Sequence, residues 1–274
     1  MATCQAIFDI AARPEYIQPL RDEIEVVIQE DGQDVDGEGF LKLKKTSITK
    51  LRKLDSFLKE SQRLSPPGLS TPPIYPFKNQ IRPGTDKDLV SNTRVTTAPL
   101  TLSTGHTLPT NTRFSFTSYA VHTSPSTTTF SPTYNPPTTK PPSEFDGFRF
   151  YKLRLMEGKE NKHQFVTTSP DSLNFGHGNR AVSGPFSFSC KVGFMGPHVL
   201  IGLGQCPGRF FASNEIKVVL IELLKSWDFR LKGDVEEKGG EEKRPESWVR
   251  DFSVTPNMVA EIEFRRRKER GFCA

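Results

Sequence analysis

Phe175-Gly-His-Gly-Asn-Arg180-Ala181 and Cys206-Pro-Gly-Arg209-Phe-Phe-Ala212 are two pieces of one pattern, held apart by residues 182–205. Behind Cys206, the residues Ile216, Val219, Leu220, Leu223, Leu224 and Trp227 recur on one helical stripe, and Pro207 is tolerated in a first turn. The spacing predicts a long, deeply buried helix that opens at the cysteine. At such a position the unpaired backbone N–H groups and the helix dipole favour an anionic sulfur.

A thiolate there can serve as nucleophile, metal ligand or haem ligand, and the position alone also suits a small packed cysteine. The neighbours decide between these. Gly208 lets backbone approach a flat ligand, Arg209 and Arg180 offer cations to carboxylates, and Phe175 offers an aromatic wall near sulfur. A competing pattern overlaps the second piece: Val199-Leu-Ile201 followed by Gly202, Gly204 and Gly208 reads as strand, glycine turn and helix, the order of a dinucleotide-binding fold. Its spacing is one residue longer than the usual fingerprint, and no second βαβ unit accompanies it.

Of 274 residues 35% are apolar, enough for a lean core, and 22 prolines make much of the chain irregular. The net charge of +5 is spread through 37 basic and 32 acidic residues; the one basic cluster, Arg265 to Lys268 with Arg270, reads as a solvated terminal strand and tail, with no nucleic-acid partner implied. Cys4, Cys190, Cys206 and Cys273 lie at no zinc-ligand spacing, and a disulfide framework in an oxidising compartment is not expected. No stretch approaches the roughly 20 apolar residues that span a bilayer, so no membrane span is expected in this chain.

A helix is expected to end near Ala11, and a second to carry Ile17, Leu20, Ile24, Val27 and Ile28 on one face before a polar loop over 31–39. Ile48, Leu51, Leu54 and Leu58 predict a third, opened by Thr46 and Ser47 as caps and stopped before Pro66. Short strands are expected over 94–102 and 112–121, irregular chain over 124–142, and two closing strands over 228–232 and 258–264. This order favours an α+β or mainly α class.

Near the end of the third helix, Glu60 and Arg63 lie one turn apart, a spacing that ordinarily gives a surface ion pair worth a few tenths of a kcal/mol. Farther on comes Pro141-Pro142 with Phe145-Asp-Gly-Phe-Arg149-Phe150. Glu-x-x-Arg on a helix, a Pro/Phe/Arg segment, then FGHGNRA and CPGRFFA, in this order, resemble the cytochrome P450 monooxygenases. The likeness is in detail to fungal terpenoid-oxidising members such as ent-kaurene oxidase, and covers nearly the whole chain.

The resemblance implies a mainly α fold with small β-sheets, the carboxy-terminal part of the cytochrome P450 fold and incomplete, as one partial domain over 1–274. It implies haem b with Cys206 as axial ligand, Phe175, Gly178 and Arg180 lining the haem, Arg94 reaching a propionate, and Glu60, Arg63 and Arg149 as structural support in a buried network. The hairpin over 101–108 would border the pocket of a hydrophobic small-molecule substrate. Electrons would come from NADPH through NADPH-cytochrome P450 reductase, at the cytosolic face of the endoplasmic reticulum membrane. Against the family, residues 182–205 and a stretch near 70–91 are surplus; Val182 and Gln205 can be encoded with splice-site dinucleotides, so the longer insert reads as a retained intron. The family's oxygen-activating acid and threonine are expected to fall before Met1, which leaves this chain the proximal half of a haem pocket and makes a non-catalytic fragment without haem the alternative.

Overall fold

The computed structural model describes residues 1–35, 37, 41–66, 91–116, 118–124, 140–169, 172–175, 208–232, 244–250 and 253–267. Helix α1, Ala2–Ala12, stops at Arg13 (φ −133°, ψ 70°), because a residue ahead of proline is driven out of the helical region; a 3-10 turn, Pro14–Tyr16, then leads into α2, Ile17–Asp31. Leu20, Ile24 and Val27 form the buried stripe of α2, as their spacing requires. Gly32 closes it at φ 75°, its N–H bonded to Ile28 O at 2.9 Å, a conformation that favours glycine. Beyond it, β1 (Asp34–Val35) pairs antiparallel with β2 (Leu41–Lys42), a small hairpin within and just beyond the expected loop.

The expected third helix is two, α3 (Lys45–Lys50) and α4 (Arg52–Leu64), parted at Leu51 (φ −72°, ψ 76°). The break has a visible cause. Glu23 of α2 accepts hydrogen bonds from Lys53 N at 2.6 Å and Leu54 N at 3.0 Å, so a carboxylate from another helix satisfies the head of α4, while Leu51 itself is fully buried. Thr46 and Ser47 cap nothing, since α3 already starts at Lys45. Every residue from Leu54 to Arg63 is buried, so α4 is a central helix covered on all sides.

Strand β3 (Ser91–Val95) pairs antiparallel with β6 (Arg113–Phe116), setting Arg94 opposite Phe114, and β4 (Leu100–Thr101) pairs with β5 (Thr107–Leu108) in the expected hairpin. The strand expected over 94–102 is therefore divided. That expected over 112–121 gives way to helix α5, Ser118–Thr123, which buries Ser118 and His122 one turn apart. Helix α6, Arg149–Arg154, is a short turn against α4.

Helix α7, Gly208–Ser226, buries Ile216, Leu220, Ile221 and Leu224 together with Ser213 and Lys217, but Phe211 (70% exposed) and Val219 (41%) face outward. It is thus one-sided among the described residues, not deeply buried, and Trp227 opens strand β7 (Trp227–Leu231) instead of ending the stripe. Its last carbonyls are capped by side chains: Arg21 Nε donates to Leu224 O at 2.7 Å, and Arg267 Nη1 to Lys225 O at 3.1 Å. Strands β8 (Trp248–Arg250) and β9 (Ser253–Thr255) form a hairpin, and β10 (Ile262–Arg266) pairs antiparallel with β7. The expected strand at 258 begins late because Asn257 Oδ1 accepts from Val259 N and Ala260 N, both at 3.0 Å, and so bends the chain.

The result is a mainly α chain with small antiparallel sheets, the class expected, and the described strands pair only in twos and only antiparallel. Among the described residues no helix is long and apolar enough to cross a membrane. One core joins α1, α2, α4 and α7 through Ile10, Leu20, Leu54, Phe57, Leu220 and Leu224.

Candidate functional site

The densest polar assembly lies at the carboxy-terminal half of α4. Glu60 meets Arg63 through two hydrogen bonds, Nε to Oε2 at 2.8 Å and Nη2 to Oε1 at 2.7 Å, and Arg149 Nε reaches the same Oε1 at 3.2 Å. Exposure is 0% for Glu60, 3% for Arg63 and 0% for Arg149, so the three form a buried triad and not the surface ion pair that i, i+3 spacing ordinarily gives. Two cations against one anion would be costly in low dielectric without further partners. Backbone oxygens supply them: Arg149 donates to Lys140 O (2.6 Å), Pro141 O (2.9 Å) and Glu144 O (3.0 Å), and Arg63 to His122 O (2.8 Å), Glu144 O (3.1 Å) and Pro142 O. The triad therefore fixes the path of residues 140–149 across α4.

Phe145 to Tyr151 is fastened by more than charge. Asp146 N donates to Glu60 Oε1 at 2.9 Å, Gly147 N to the Tyr16 hydroxyl at 3.1 Å, and Ser56 Oγ to Gly147 O at 2.9 Å. Burial pushes the Tyr16 hydroxyl pKa up, which keeps it neutral and suited to that role. Tyr16, Phe57, Phe145 and Phe148 stack edge to face with centroids 5.0–5.8 Å apart. Position 147 must be glycine, since a Cβ there would lie 2.7 Å from Phe57 Cδ2 and 2.8 Å from Tyr16 Cε1.

Of the residues expected around the cysteine, Gly178, Arg180 and Cys206 lie outside the described residues, as do Gly202 and Gly204 and both surplus stretches apart from Ser91 at the edge of the first. Phe175 is described and half-buried, its ring edge-on to Phe165 at 5.6 Å. Arg94 sits half-buried in β3. The structure brings Glu60, Arg63 and Arg149 together; it leaves Arg94 and Phe175 on separate segments.

The described end of the second motif piece is the first turn of α7. Gly208 and Arg209 form it, and Arg209 lies with Cζ 4.9 Å from the Phe210 ring centroid while its buried Nε has no hydrogen-bond partner among the described residues. An orphaned guanidinium N–H beside a helix N-terminus is a donor set for an anion. It fits the propionate carboxylates that a haem would bring there. The hairpin of β4 and β5 turns at Gly105 (φ 86°) and exposes Leu100 and Leu102.

Sequence reasoning missed three buried clusters. Asp55 meets Lys217 and Arg154; Lys59, 4% exposed, donates to Gln164 O (2.8 Å) and Thr167 O (3.1 Å), and its pKa falls to about 8 through burial. Asp9 gathers Arg13, Arg244 and Ser61. His122 Nε2 accepts Leu173 N at 3.0 Å, which makes that nitrogen the unprotonated one. Apart from Asp9 and Arg13, which lie four residues apart, no local pattern marks these, because the partners come from distant segments.

No protein-family model matches the sequence. Curated relatives do. The chain is 50% identical over 267 residues to cytochrome P450 monooxygenase ascG of Acremonium egyptiacum, covering 97% of this chain and 42% of that protein. It is 40% identical to cytochrome P450 monooxygenase BOA7 of Botryotinia fuckeliana (96% and 38%) and 35% identical to cytochrome P450 monooxygenase prx8 of Penicillium rubens (97% and 37%). The chain thus spans about two fifths of the length of these relatives.

Proposed function

This chain is cytochrome P450 sequence over nearly its whole length, and from that premise we propose that it builds the proximal side of a haem-thiolate site, with Cys206 as the axial ligand. The observation that carries this is the buried triad of Glu60, Arg63 and Arg149: a charge arrangement with no purpose in a solvated helix, formed by the motif residues that accompany the cysteine signature. When bound, haem b supplies the chemistry that places one atom of O2 in a hydrophobic small molecule. A terpenoid or other secondary metabolite is the substrate class, with electrons from NADPH through a flavoprotein reductase.

The chain's own residues orient and insulate. Phe175 walls the sulfur, Gly178 admits close backbone approach, Arg180, Arg94 and Arg209 meet carboxylates, and the triad holds the chain that leads toward the signature. The exposed leucines of the β4–β5 hairpin form an apolar lip for the substrate. The setting proposed is the cytosolic face of the endoplasmic reticulum membrane. Residues 182–205, and a stretch near 70–91, are proposed as insertions absent from the working protein.

The test is the spectrum of the full-length product carrying this segment, with and without residues 182–205. A thiolate-type ferrous–carbon monoxide band that Cys206→Ser abolishes is expected. A band surviving that substitution, or a product that takes up no haem, overturns the reading.

A further inference from the structure

Asp55 is a buried carboxylate that touches both sides of the interrupted signature. Its Oδ1 accepts Lys217 Nζ at 2.5 Å, about two and a half turns into α7. Its Oδ2 accepts Phe165 N at 2.8 Å and Arg154 Nη1 at 3.4 Å, and the side chains of Asp55, Lys217 and Arg154 are 9%, 6% and 6% exposed. Phe165 in turn supports the Phe175 ring edge to face at 5.6 Å, at the head of the first motif piece. One carboxylate therefore binds the helix that follows Cys206 and the segment that precedes Gly176.

We propose that Asp55 is a positioning residue that sets the register between α7 and the Phe165–Phe175 segment, and so the geometry in which Cys206 meets its ligand. The premise is the haem-thiolate role of Cys206. Apolar packing cannot do this alone, because it is non-directional and α7 buries only one face, with Phe210, Phe211, Val218 and Val219 exposed among the described residues. A buried ion pair is a weak source of stability but a strong constraint on direction, since sliding α7 by one residue would take the buried Lys217 ammonium from its carboxylate in low dielectric, while Asp55 stays held by Arg154 and Phe165 N. Lys59 reinforces the same turn from one helical turn farther along α4, through Gln164 O and Thr167 O.

The experiment uses the full-length, haem-loaded product and the variants Asp55→Asn, Lys217→Met and their combination. Asp55→Asn still accepts Phe165 N but loses the ion pair; Lys217→Met keeps an apolar stem and serves if the first variant fails to fold. Expected is an about 10-fold faster loss of the thiolate-type ferrous–carbon monoxide spectrum, in the range of coupling between contacting charged pairs, with the double variant no worse than either single one. Hydrogen exchange should rise together in 165–175 and 208–226, measured with haem and without it. Unchanged spectrum and exchange in both variants overturn the proposal, as does a loss of melting temperature with the spectrum intact. A parent that binds no haem overturns the premise, and the joint exchange response then decides the coupling alone: its presence upholds the register role of Asp55 and its absence ends it.

Discussion

Arg149 Nε lies 3.2 Å from Glu60 Oε1 with both residues wholly buried, eighty-nine positions apart in the chain. Since Glu60 is a carboxylate shared by Arg63 and Arg149, substituting it and substituting Arg149 are unequal. Glu60→Gln takes the shared carboxylate from two buried cations, whereas Arg149→Met leaves an intact Glu60–Arg63 pair. Breaking a buried pair costs about 3–5 kcal/mol; Glu60→Gln is expected at or above that range and Arg149→Met at its lower end. Urea unfolding of the two variants checks the order.

Gly147→Ala places a methyl 2.7 Å from Phe57 and 2.8 Å from Tyr16. Overpacking of this kind costs about 1–3 kcal/mol. Shortening the obstructing ring with Phe57→Leu should recover part of the loss in the double variant, which thermal melting of the two single variants and the double would show as non-additivity.

Lys59 titrates near 8 in the fold because burial disfavours its charge, against 10.5 when free, so the unfolded chain binds more protons between those values. Stability therefore rises with pH across that window, by about 3 kcal/mol at 1.36 kcal/mol per unit, and the cost of burial is fully present below it. His163, lowered to about 4 by burial and neighbouring cations from 6.5, acts in the acid range: its contribution is complete above 6.5 and lost as pH falls through 4. Lys59→Met should flatten the alkaline slope, and His163→Asn, which tolerates the positive φ of 58°, the acid one. Denaturation midpoints across pH read both.

Arg209→Leu removes the orphaned donor at the head of α7. A hydrogen bond to a charged group is worth about 1.5–3 kcal/mol, so haem should leave the full-length product about 10- to 100-fold faster. Transfer to an acceptor globin gives the rate.

The members of the triad were legible as Glu60, Arg63 and Arg149 because motif order survives without coordinates, and the resemblance implied their burial; the i, i+3 spacing by itself did not, since it serves a solvated helix as well. Helix α7 was legible from its stripe, while its outward face was not, as periodicity reports which residues are apolar and not what covers them. The split at Leu51 escaped because Glu23, from another helix, decides it.

The sequence by itself determined the helical stripes, the mainly α class and the likeness to cytochrome P450 monooxygenases, all of which rest on residue types at short or ordered spacing. Only the tertiary structure decided that Asp55 meets Lys217, that Gly147 has no room for a side chain and that α4 is enclosed on every side. Such pairings join residues far apart along the chain, and a buried charge has a partner only once packing has excluded water and brought the two ends together.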